Sequence, residues 1–151
     1  MDKILVFDMD GTIADFYNVK GWKDYLDKGN PIPYMVAKPI YDMFSLNNLL
    51  ELLKSQGWKV IIVSWVAKQC DDDFKNAIRV AKTDWLNRYN FPYDELHIVK
   101  YGTTKANCVR KYDGRKILID DNEKVRKGWN GETINANENI LIELTNLLVN
   151  D

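Results

Sequence analysis

The chain alternates short unbroken apolar runs with longer stretches in which apolar residues recur three or four apart. Lys3-Ile4-Leu5-Val6-Phe7-Asp8 is the first run, and it predicts a strand over residues 3–8 that is buried on both faces. From Phe16 to about Leu26 aromatics and charges alternate irregularly, and Gly29-Asn30-Pro31-Ile32-Pro33 then breaks the chain. Leu46, Leu49, Leu50, Leu52 and Leu53 follow at helical spacing, and Gly57 stops that helix. Trp58 to Val63 predicts a second buried strand, closed by Ser64. Asp71-Asp72-Asp73 suits a helix start, where negative charge meets exposed N–H groups. That helix runs to about Tyr89 and carries Phe74, Ile78, Ala81, Trp85 and Leu86 on or near one face. Leu96 to Val99 predicts a third strand, Lys105 to about Lys111 a short helix, and Arg115 or Lys116 to Asp120 a fourth strand. A brief fifth strand including Thr133 and Ile134 follows Trp129-Asn130-Gly131, and Asn139 to Val149 predicts a terminal helix.

Buried strands alternating with helices imply an α/β fold, a parallel sheet covered on both faces. Ligands of such sheets bind beyond the carboxyl ends of the strands, where strand order reverses. Three of the apolar strands end in polar residues: Asp8, Ser64, and Asp120 with Asp121. All three would leave the sheet at one edge. At 151 residues, 46% of them hydrophobic, the chain suits a single domain over 1–151 with one packed core. A net charge of −1 argues against nucleic-acid binding driven by overall charge, while leaving a local patch open. Cys70 and Cys108 have no metal-type spacing and read as free thiols. The opening residues lack a signal-peptide pattern and no run is apolar enough to span a membrane, so the expectation is a cytoplasmic protein, monomer or homodimer.

The candidate chemistry begins at Asp8-Met9-Asp10-Gly11-Thr12. Two carboxylates at one strand end repel unless a cation or a bound proton offsets them. An Asx-type turn is the plain alternative. A calcium loop is another, but Asp10-Gly11-Thr12-Ile13-Ala14-Asp15 does not supply its ligand spacing. Ser64 taken alone could simply end a strand, and Asp121 alone could cap the next helix.

Together these segments resemble the motifs of the haloacid dehalogenase-like phosphatases. Asp8 to Thr12 resembles their first motif, Val60-Ile61-Ile62-Val63-Ser64 the second, and Ile117-Leu118-Ile119-Asp120-Asp121-Asn122 the last. The third is a lysine near a helix start: Lys105 in Gly102-Thr103-Thr104-Lys105-Ala106 fits, with Lys100 as its competitor. The resemblance runs from about residue 3 to about residue 135. It implies a Rossmann-like sheet with a small helical cap inserted after the first strand, at about 14–42. It implies a nucleophile, Asp8, which forms an aspartyl-phosphate, and an acid–base, Asp10. Ser64 and Lys105 would hold phosphoryl oxygens, with Gly11 and Thr12 in the phosphate turn. Mg²⁺ would be held by Asp8, the Asp10 carbonyl and Asp120 or Asp121, with Asp120 the favoured direct ligand.

The span after Asp10 holds one or two short helices, so the cap should leave the site only partly covered. Phe16, Tyr17, Trp22 and Tyr25 lie in it, and Trp65 follows Ser64. Phe16 and Trp65 are the candidates to stack a base; packing of the cap onto the core is the alternative. Ala14-Asp15-Phe16, Pro39-Ile40-Tyr41-Asp42-Met43-Phe44 and Trp85-Leu86 resemble the 5′(3′)-deoxyribonucleotidase-like members, which implies a nucleotide monophosphate as substrate. The layout is also similar to the 3′-phosphatase part of polynucleotide kinases, which implies a nucleic-acid end. Signalling receiver domains share acids, a hydroxyl, a lysine and Mg²⁺, but place the acid pair first and the phosphoacceptor on a middle strand. A non-enzymatic phospho-accepting or binding module stays open. His97, the one histidine, reads as strand-edge or core packing.

Overall fold

Five apolar segments pair into one parallel sheet in the computed structural model, which describes residues 1–150. The strands are β1 Asp2–Phe7, β2 Trp58–Trp65, β3 Glu95–Val99, β4 Gly114–Asp120 and β5 Glu132–Asn135. Their order is β3-β2-β1-β4-β5, every pairing parallel. The chain therefore builds outward from β1 to one edge, returns, and builds to the other. The switch falls between β1 and β4, the position where such sheets bind ligands. Phe7 stands opposite Ile62 of β2 and Ile119 of β4. That register brings Asp8, Ser64 and Asp120 out at the same edge.

The helices are α1 Trp22–Asp27, α2 Ile32–Val36, α3 Met43–Ser55, α4 Asp72–Arg88, α5 Glu123–Lys127 and α6 Ile140–Asn150. Asp42 caps α3 by accepting from the Phe44 N–H, and Asp71 caps α4 by accepting from the Phe74 N–H. Leu46, Leu50 and Leu53 form one stripe of α3 and are fully buried against Leu5, Phe7, Val60 and Ile62. α6 and the last turns of α4 complete that face through Ile140, Leu144, Trp85 and Leu86. Val109 and Trp129 cover the opposite face, over Ile4, Val6, Ile61 and Leu118. Burying one such side chain contributes about 1.5–3 kcal/mol, which is why β1, apolar on both sides, lies at the centre of the sheet.

Several boundaries differ from the sequence expectation. β2 continues through Ser64 to Trp65, because both still pair with β3. The segment after Lys105 is a five-residue 3-10 helix, Lys105–Val109. α5 has no apolar stripe and no buried residue, so periodicity gave no signal for it. A short 3-10 turn at Phe16–Asn18, α1 and α2 form the cap. It sits on the first half of α4, where Phe16 and Tyr34 pack with Phe74, Ile78 and Ala81. His97 lies on edge strand β3 with Nε2 3.0 Å from Glu95 Oε1. Both cysteines are free. Among the described residues no helix is long and apolar enough to cross a membrane.

Candidate active site

The loop after β1 is a tight turn. The N–H groups of Thr12, Ile13 and Ala14 all donate to the Met9 carbonyl. Gly11 takes φ +81°, and a Cβ there would stand 2.3 Å from Asp121 Oδ2. Only glycine combines that left-handed backbone with that close approach. Thr12 is fully buried and donates its hydroxyl to Asp8 Oδ2 at 2.9 Å. Its place is therefore behind Asp8, and it acts through the carboxylate; the expectation that Thr12 touches substrate is corrected on this ground.

Lys105 opens the 3-10 helix and is 5% exposed. Its Nζ donates to Asp8 Oδ1 and to Asp120 Oδ2, both at 2.9 Å. Lys100 is exposed, so the structure brings Lys105 and not Lys100 to Asp8. Burial alone would discharge the ammonium, but the two carboxylates overrule it and hold its pKa above the ordinary lysine value. Asp120 is 1% exposed, and its second oxygen accepts from the Asn122 N–H. Burial pushes its pKa up, and the Asp8 charge adds to this.

Asp8, Asp120 and Asp121 converge, with one carboxylate oxygen of each within 4.8 Å of the others. Burial, followed by the Asp8 charge, pushes Asp121 up to about 8. A carboxyl that must take up a proton beside two others marks a place where a cation would be accommodated. Three hard oxygen donors with no nitrogen or sulfur suit Mg²⁺ or a similar ion. Both Asp120 oxygens already accept hydrogen bonds, whereas Asp121 lies over Gly11 beside Asp8. The Asp10 carboxylate is not in this group; only its backbone carbonyl remains to contribute.

The Asp10 carboxylate instead meets a residue that the sequence reading missed. Lys82 of α4 is fully buried. Its Nζ donates to Asp10 Oδ2 at 3.0 Å, to Ser64 Oγ at 2.6 Å and to the Trp65 carbonyl at 2.8 Å. It also lies 5.0 Å from the Tyr34 ring centre. The signal was present: Lys82 falls four residues after Ile78 and three before Trp85, on the apolar stripe of α4. A charge on a buried stripe needs a partner. Burial pushes the Asp10 carboxyl up, and Lys82 only partly opposes this.

Asp8, Asp10, Ser64, Lys105, Asp120 and Asp121 all line one cleft of about 1030 Å³. Its aromatic wall differs from expectation. Phe16 is 2% exposed, its ring packed among Tyr17, Trp22 and Tyr34. Phe16 thus lines the cleft but spends most of its ring on packing the cap, the alternative the sequence left open. Trp65 is half-buried, with its indole N–H held by the Thr103 carbonyl, and its ring centre lies 5.0 Å from that of Tyr101. Tyr17 and Tyr101 are about half exposed, at 53% and 47%. These rings, with Trp22, give the cleft its accessible aromatic surface.

No protein-family model matches the chain, and no curated protein matches it. Among solved structures it is similar to a chain of the Pnkp1/Rnl/Hen1 RNA repair complex, with 19% identity and a TM-score of 0.59. That match covers 89% of this chain and 42% of the other, so this chain spans less than half the neighbour's length. It is also similar to D,D-heptose 1,7-bisphosphate phosphatase from Burkholderia thailandensis, with 13% identity, a TM-score of 0.50, and coverage of 84% and 72%. These likenesses show the fold, an α/β Rossmann-like parallel sheet with helices around it. Neither neighbour is described as a nucleotidase, so that subgroup resemblance rests on sequence motifs alone.

Proposed function

We propose that the chain hydrolyses phosphomonoesters through a phosphoryl group carried on Asp8. The observation that carries this reading is the buried Lys105, bonded to both Asp8 and Asp120 at the switch point of the sheet. In the first step an Asp8 oxygen attacks phosphorus, the ester P–O bond breaks, and Asp10 gives its proton to the leaving oxygen. In the second step a water oxygen attacks phosphorus, its proton passes to Asp10, and the bond to Asp8 breaks. Inorganic phosphate leaves and the Asp8 carboxylate is restored. Burial favours the proton on Asp10, which suits an acid that acts first. Ser64 and Lys105 would bind phosphoryl oxygens. Asp8, Asp121 and the Asp10 carbonyl would hold Mg²⁺, with Asp120 beside them. Such an ion, when bound, supplies positive charge against the phosphoryl oxygens and the acid cluster.

The substrate we propose is a nucleotide monophosphate. The cleft has room for one, and Trp65, Tyr101 and Tyr17 offer faces to a base. A nucleic-acid end is the second reading. It is favoured by the likeness to a chain of an RNA repair complex and by exposed Lys23, Lys28 and Lys68 along the cleft. The test is phosphate release from nucleoside 5′- and 3′-monophosphates, sugar phosphates and 3′-phosphorylated oligonucleotides, with Mg²⁺ and with chelator. Mononucleotides should lead the panel. Faster turnover of oligonucleotides would install the second reading, and faster turnover of sugar phosphates would overturn both.

A further inference from the structure

The phosphatase reading uses Asp10 and Ser64 but leaves Lys82, which donates a hydrogen bond to each, without a task. An ammonium donates and never accepts. The Ser64 oxygen must therefore be the acceptor in the 2.6 Å contact with Lys82. The Ser64 hydroxyl proton is then left to point elsewhere, into the cleft that Ser64 lines. The same ammonium takes Oδ2 of Asp10, so the other oxygen of that carboxyl is the one left to exchange a proton. Its third bond, to the Trp65 carbonyl, fixes Nζ against β2, and the Tyr34 ring of the cap lies over it. One buried cation thus sets the orientation of two groups, one on β2 and one in the turn after β1, and ties them to the cap.

We infer that Lys82 is a positioning residue for phosphoryl transfer, which turns the Ser64 hydroxyl toward the phosphoryl group and aims the free oxygen of Asp10 at the leaving group. The inference rests on the phosphatase reading above. Lys82 touches no reacting atom. It acts through Asp10 and Ser64, and its removal should matter most where the leaving oxygen needs a proton.

The discriminating measurement is the kcat of wild type and Lys82→Met on two esters with Mg²⁺, an alkyl phosphate and an aryl phosphate whose phenolate leaves unassisted. General acid catalysis contributes about 10²–10⁴-fold, so the alkyl ester should lose about 10²-fold or more. The aryl ester should lose about tenfold, the share owed to Ser64. KM should change little on either. In an Asp10→Asn background Lys82→Met should no longer alter the alkyl-to-aryl ratio. Lys82→Gln, which keeps an amide donor, should fall between wild type and Met, and it provides the same ratio if Lys82→Met does not fold. Equal loss on the two esters, no loss, or a change confined to KM would overturn the inference and leave Lys82 a structural residue. Wild type failing on both esters would instead overturn the phosphatase reading, and this inference with it.

Discussion

Asp8 is held at both oxygens, by Thr12 on one side and by Lys105 on the other. Asp8→Asn keeps the size of the side chain and removes the nucleophile. Phosphate release should fall by at least about 10³-fold with the circular dichroism spectrum unchanged. The neighbouring Asp121 gives a pH prediction for the metal-free protein. Its folded pKa, about 8, lies above the unfolded value, so the folded state binds its proton more tightly. Its contribution to stability is complete below about pH 4 and is lost as pH rises through about 8. Asp121→Asn should therefore unfold at a higher temperature than wild type at pH 8 in chelator, and the gap should close toward pH 5. Added Mg²⁺ should raise the wild-type transition at pH 8 far more than that of Asp121→Asn. A gap that widens on acidification would contradict the sign. Asp8, Asp10, Ser64 and Lys105 were legible from sequence because each stands at a strand end or helix start. Lys82 was passed over although it stands on the apolar stripe of α4, because that stripe explains the helix without it and nothing local names its partners.

At the scale of elements, the turn after β1 and the cap carry separate predictions. Gly11→Ala forces a Cβ into Asp121 at a backbone angle that alanine resists. It should weaken Mg²⁺ binding and turnover together, read by the Mg²⁺ concentration at half-maximal rate. Thr12→Val removes only the hydroxyl bonded to Asp8, and should lower kcat about tenfold with KM nearly unchanged. In the cap, Phe16→Ala empties a packed position and should cost about 3–5 kcal/mol in denaturant unfolding. Its kinetic effect should be the same for a nucleotide and a small aryl phosphate. Tyr101→Ala should raise KM for nucleotides roughly tenfold and leave the aryl phosphate unaffected, since stacking is worth about 1–3 kcal/mol per base. The sequence pattern placed aromatics near the site, and Phe16 does line the cleft, but its ring is almost wholly taken up in packing the cap. Burial beneath Tyr34 and Tyr17 is set by how the cap folds onto α4, which local periodicity does not encode.

For the whole molecule, the strand ends decide where chemistry can occur. β1, β2 and β4 were legible as apolar runs because parallel strands covered on both faces need such runs. Their order, β3-β2-β1-β4-β5, is not written in those runs, because it depends on which face each connecting helix covers. α5 was not legible: it is short, four of its five residues are charged, its one apolar residue, Val125, is only partly buried, and Asn122 caps it. The convergence of Asp8, Lys105 and Asp120 spans more than a hundred residues of sequence: the β1–β4 register sets Asp8 beside Asp120, and the 3-10 helix Lys105–Val109 brings Lys105 to both. The central claim is that Asp8 carries the phosphoryl group during turnover. The most direct measurement is an acid quench of wild type turning over a labelled phosphomonoester in Mg²⁺, followed by mass spectrometry of its peptides. A phosphoryl adduct on Asp8 should accompany many equivalents of released phosphate, and Asp8→Asn should show neither. Multiple turnovers with no adduct at Asp8, or turnover undiminished in Asp8→Asn, would contradict the claim.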